Sequence, residues 1–131
     1  MESCEAILLF RKSSMSSMLG NSFFEQTVCK ENDGSYSVSV KLGNGPDVLD
    51  SHTYRAEEAL VGKVFEYIRE KDFLKYEGHM EAGMMGGIVA VSFLNDDRTV
   101  TITGNNVPAD ETQILYKVSD LITECCKEEI L

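Results

Sequence analysis

The sequence predicts an α+β domain: an antiparallel sheet of about six strands with two helices on one face, in the order ββββ-α-ββ-α. Three observations predict it. Tyr36, Val38, Val40 and Leu42 alternate with Ser37, Ser39 and Lys41, the period-two pattern of a strand buried on one face. Two later stretches, about 55–75 and 109–131, carry apolar residues at helical spacing. The chain is also faintly repetitive: residues 35–77 and 87–129 each read strand, tight turn, strand, helix. Leu42 matches Leu94, Thr53-Tyr-Arg-Ala-Glu-Glu58 matches Asn106-Val-Pro-Ala-Asp-Glu111, and Lys63, Val64 and Ile68 match Lys117, Val118 and Ile122. The offset drifts by one residue at the turn and by another in the helix.

The elements follow in order. Cys4 to Lys12 reads as a strand, and its nearly continuous apolar run, Ala6 to Phe10, suits a central position. Ser13 to Asn21 is rich in serine and reads as a loop. Phe23 to Lys30 is a second strand with imperfect alternation, and Asn32-Asp-Gly34 is a hairpin turn. Ser35 to Leu42 is the clearest strand. After a Gly/Asn/Pro/Asp turn, Val48 to Thr53 reads as a shorter strand near an edge. In the first helix Leu60, Val61, Val64, Phe65 and Ile68 form the apolar stripe, interrupted by Gly62, which weakens the helix or admits a close neighbour. Gly78 to Gly87 is a glycine- and methionine-rich link. Ile88–Leu94 and Arg98–Thr103 make a second hairpin, and the last helix presents Ile114, Leu115, Val118, Leu121, Ile122 and Cys125 inward. Thr53 and Asn106 are good N-cap types for the two helices. The expected core is Val38, Val40, Leu60, Val64, Phe65, Ile68, Val89, Val91, Ile114, Val118, Leu121 and Ile122.

Length and composition bound the class. At 131 residues, 43% of them apolar, residues 1–131 are expected to form one domain with a real core. No run of apolar residues is long enough to span a bilayer. The run Ala6–Phe10 follows Glu2 and Glu5 rather than a basic segment and is too short for a secretory signal, so a cytoplasmic protein is expected. Cys4, Cys29, Cys125 and Cys126 form no C-x-x-C pair and have no histidines at zinc spacing, which points to reduced thiols. The net charge is −10, from 22 acidic and 12 basic residues. Such a surface disfavours phosphate backbones, so no direct nucleic-acid binding is expected, and it favours solubility or a basic protein partner.

Candidate chemistry is sparse. His52 lies beside Asp50 and Ser51, and His79 lies in the glycine-rich link; a triad is assembled from distant segments, so chain proximity does not make one. Gly83–Gly87 precedes a strand instead of opening a helix after one, the wrong order for a phosphate-binding loop. Asn95-Asp-Asp97, Asp47 and Asp50 lack the spacing of a calcium loop. No catalytic residue, metal or cofactor is therefore expected. Methionines cluster outside the regular elements, with Met84 and Met85 in the glycine-rich link, where flexible thioethers suit a contact surface or a gap in the core. The last helix breaks a local rule: Glu124, Glu128 and Glu129 stand near its C-terminus, where the dipole prefers cations, and Asp120, Glu124 and Glu128 fall on one face at i, i+4, i+8.

These features point to a non-catalytic protein-binding module, a small acidic inhibitor or accessory protein that engages a basic surface such as a nucleic-acid-binding groove. The partner-binding residues are expected to be Met84, Met85, Asp120, Glu124, Glu128 and Glu129, and a homodimer is compatible with them. The alternatives are a small-molecule binding or sensing domain with a pocket between sheet and helices, and a small enzyme using His79 or His52.

Overall fold

A computed structural model describes residues 5–16, 20–44, 47–76, 78–79, 88–105 and 113–129. In chain order the elements are β1 (Glu5–Ser16), β2 (Gly20–Lys30), β3 (Tyr36–Asn44), β4 (Asp47–Ala56), α1 (Glu58–Glu70), a 3-10 turn (Phe73–Tyr76), β5 (Gly78–His79), β6 (Ile88–Asn95), β7 (Arg98–Asn105), α2 (Gln113–Cys125) and β8 (Cys126–Glu129). The strands lie in one sheet in the order β5-β7-β6-β1-β2-β3-β4-β8. Seven of them run antiparallel, and the two-residue β5 lies parallel to β7. The α+β class and the order of the main elements are those expected from the sequence. The additional strands are β5 and β8, both short and both at edges.

Alternation along each strand builds two different faces. On one, cross-strand partners line up as Ile102–Val91–Phe10–Gln26–Val40–His52 and as Val100–Phe93–Leu8–Val28–Val38–Tyr54. The helices cover this face, and its apolar residues join Val61, Val64, Ile68, Phe73, Leu115, Val118, Ile122 and Cys125 in a single core. On the other face the row Thr101–Ser92–Leu9–Thr27–Ser39–Thr53 is mostly hydroxyl, and Arg11 pairs with Glu25 at 2.6 Å while its guanidinium covers Phe23. Of the expected core, Val38, Val64, Ile68, Val89, Val91, Val118 and Ile122 are buried, while Val40, Leu60, Phe65, Ile114 and Leu121 pack against it half-buried.

The sheet order reads alike outward from the β1/β2 seam: a hairpin on each side, then a short edge strand. Each helix follows one hairpin and delivers its edge strand to the other. From β4 the chain passes through α1 to β5 beside β7; from β7 it passes through α2 to β8 beside β4. Val61, Val64 and Ile68 on α1, and Leu115, Val118 and Ile122 on α2, are all buried. Leu42 and Leu94 are not equivalent, because Leu42 shares a face with Val38 and Leu94 lies on the opposite face from Val91 and Phe93.

Local boundaries differ from expectation where tertiary pairing prevails. β1 continues to Ser16 and β2 begins at Gly20, so most of the serine-rich stretch is hairpin: Ser13 faces Phe23 and Met15 faces Asn21. α1 starts at Glu58, because β4 runs on to Ala56, which is buried opposite Tyr36. Thr53 is therefore a strand residue facing Ser39, and the N-cap is Glu57, with no side-chain cap. Asn106 lies outside the described residues. α1 stops at Glu70; Asp72 takes a left-handed conformation (φ 52°) and the following turn drives Phe73 into the core. The last helix ends at Cys125, whose carbonyl accepts the Glu57 N–H at 3.0 Å, and Cys126 then pairs with Ala56. Pairing with β4 overrides the helical reading of the final residues. No described helix is long and apolar enough to cross a membrane.

Candidate functional site

The margin formed by β4 and β8 carries exposed apolar and charged side chains. β4 begins Asp47-Val-Leu-Asp50 beside a register shift at Leu42/Gly43, and Val48 and Leu49 are 51% and 72% exposed. These are large values for apolar side chains in a strand, and with Leu42 they make an apolar end to the sheet. An open groove of about 390 Å³ adjoins it, lined by Lys12, Phe23, Phe24, Leu42, Gly43 and Leu49.

Farther along β4, His52 ends the row that crosses the sheet from Ile102. Its Nδ1 meets the Glu129 carboxylate of β8, and its Nε2 lies 3.0 Å from Asp50 Oδ1 and 3.1 Å from Asp50 Oδ2. Hydrogen bonds to Glu129 and then Asp50, aided by both negative charges, push the imidazole above its usual titration range. With both ring nitrogens engaged by carboxylates, neither is available to take a proton from a nucleophile. His79 lies in β5, at the opposite edge of the sheet, so the two histidines do not share a site.

The other expected site residues divide. Asp120 and Glu124 are exposed on α2, as expected. Glu128 and Glu129 are exposed but stand on strand β8, not on a third turn of the same helical stripe, which corrects the expected alignment of Asp120, Glu124 and Glu128. Met84 and Met85 lie outside the described residues. Among the described residues no group of three or more His, Cys, Asp or Glu side chains could hold a metal ion. Cys125 is buried, and burial, reinforced by Cys126, Glu124 and Glu57, pushes its thiol up to about 12. Between the helices, Tyr67, Lys71, Gln113, Ile114, Tyr116 and Asp120 border a surface groove of about 340 Å³.

The meeting of His52 with Glu129 was not legible in advance, because the two are 77 residues apart. The exposed pair Val48-Leu49 could have been noticed, since it interrupts the expected alternation just after a turn. The chain matches no family model and no curated protein sequence.

Proposed function

We propose that the chain is a non-catalytic protein-binding module that engages a basic surface, as a small acidic inhibitor or accessory protein, with the β4–β8 margin and the exposed face of α2 as its contact region. The observation that carries this reading is the company kept by Val48 and Leu49: two exposed apolar side chains flanked by Asp47 and Asp50, on the strand that also holds Glu129 through His52. Exposed apolar groups ringed by charge form the anchor-and-rim composition of a protein contact. The net charge of −10 biases the partner towards lysine and arginine, and Asp120, Glu124 and Glu128 extend the negative surface. A groove evolved to hold nucleic acid would present such a counter-surface.

The test is affinity capture at low and high salt, followed by association kinetics with the purified partner. Reversal of Glu124 and Glu128 to Lys is expected to slow association more than it changes Tm, and salt should slow the wild type in the same way, since screening acts over about 8–10 Å at physiological ionic strength. Leu49→Ser should act on dissociation. Replacement of His79 by Gln should leave the biological activity largely intact. Binding indifferent to salt and to both charge reversals would sink the reading.

A further inference from the structure

The contact between His52, Asp50 and Glu129 does more than decorate the margin. Backbone pairing of β8 with β4 is short and irregular, with Ala56 opposite Cys126, Tyr54 opposite Glu129, and a register shift between them. The start of β8 is secured by the buried Cys125 and by the Glu57 N–H to Cys125 carbonyl bond. Its far end carries the exposed run Lys127–Glu129, and the side-chain contact described there is the one from Glu129 to His52.

We propose that His52 is a proton-controlled latch: as an imidazolium it bridges Asp50 on β4 and Glu129 on β8 and fixes the far end of β8 to the sheet, and loss of its proton lets that end leave β4. The reason is a count of donors. An imidazolium has two N–H groups, one for each carboxylate; a neutral imidazole has one, so a ring lone pair must then face a carboxylate oxygen. The groups facing His52 are Asp50 and the Tyr54 ring on β4, Glu129 on β8, and the uncharged Val40 across on β3. Lys41 and Arg55 project from the opposite face of the sheet, by strand alternation. The two carboxylates therefore dominate, in agreement with the upward displacement of the histidine.

The sign follows from linkage. A histidine held above its unfolded value gives a contribution that is complete below about pH 6.5 and is lost as pH rises through the folded-state value. β8 is thus fastened on the acid side and loosens on the alkaline side. The latch does not depend on the partner reading, and it is tested on the isolated protein.

The experiment is amide hydrogen exchange by NMR on the full chain from about pH 6 to about pH 8.5, expressed as protection factors so that the intrinsic pH dependence cancels. The wild-type Arg55 amide, which strand alternation directs at β8, is expected to lose protection relative to the amides of β1 and β2 as pH rises, in step with the titration of the His52 ring. In His52→Gln the protection should be low and flat with pH. Glu129→Gln, which keeps the side-chain shape, should flatten it as well. Protection that stays constant in the wild type, or falls equally in His52→Gln, would overturn the latch.

Discussion

Gln26 and Ser119 meet across the interface between sheet and helix: the Ser119 hydroxyl donates to Gln26 Oε1 at 2.7 Å, from a residue 93 positions away. The Gln26 amide in turn donates to Thr123 Oγ1 at 3.0 Å, so a buried polar side chain in the middle of an apolar row is satisfied entirely by α2. This pairing sets the position of α2 over β2 more specifically than apolar contact does.

Replacement of Gln26 by Leu is expected to destabilise the fold by about 1–3 kcal/mol, because the Ser119 hydroxyl is left without its acceptor. The double variant Gln26→Leu/Ser119→Ala should recover most of that loss, since removing both partners is far less costly than removing one. Urea unfolding of the three proteins measures this, and a double variant no more stable than the single one would contradict it.

Val64 and Val118 are both fully buried, one on each helix. Truncation of either to Ala should cost about 1.5–3 kcal/mol. Thermal melts that coincide with wild type would show that the helices do not face the sheet as described.

Two glycines should respond in opposite directions. Nothing approaches the place a Cβ would occupy on Gly62, so Gly62→Ala in α1 is expected to stabilise by about 0.5–1 kcal/mol through helix propensity. At Gly43 a Cβ would overlap the Asp47 carbonyl oxygen and the Phe23 ring, and Gly43→Ala should destabilise by about 1–3 kcal/mol. Chemical denaturation separates the two, and a stable Gly43→Ala protein would refute the bulged geometry at the start of β4.

Cys125 should resist alkylation. With its thiol pushed up to about 12, only about one molecule in ten thousand carries the thiolate at pH 8. Burial also raises Cys126. Iodoacetamide at pH 8 should leave Cys125 unmodified in the native protein and modify it in denaturant, as read by peptide mass spectrometry. Because the folded state raises this group, its ionisation removes stability only above the ordinary thiol range, so the prediction holds across neutral pH.

What could be read from the sequence was what depends on near neighbours. The alternation from Tyr36 to Leu42, the turn at Asn32–Gly34 and the helical stripes Val61–Ile68 and Leu115–Ile122 each reflect a local period, and each appears where expected. The ends of elements were less legible, because Ala56 is held in strand by Tyr36 and Cys126, and Cys126 by Ala56, and neither by a feature of its own segment. The same applies to the margin. Glu128 and Glu129 looked helical because the apolar period before them was helical, and only the pairing of β8 with β4 brought Glu129 to His52.

The exchange of edge strands between the two hairpins carries a consequence for how the protein comes apart. The unit containing β3, β4 and α1 lacks β8, and the unit containing β6, β7 and α2 lacks β5; each borrows its border from the chain of the other. Loosening one half therefore strips the other, as with two hands clasped at the fingers. Unfolding is expected to be a single cooperative event, and a cut within the segment between β5 and β6 should yield fragments that gain order only when mixed.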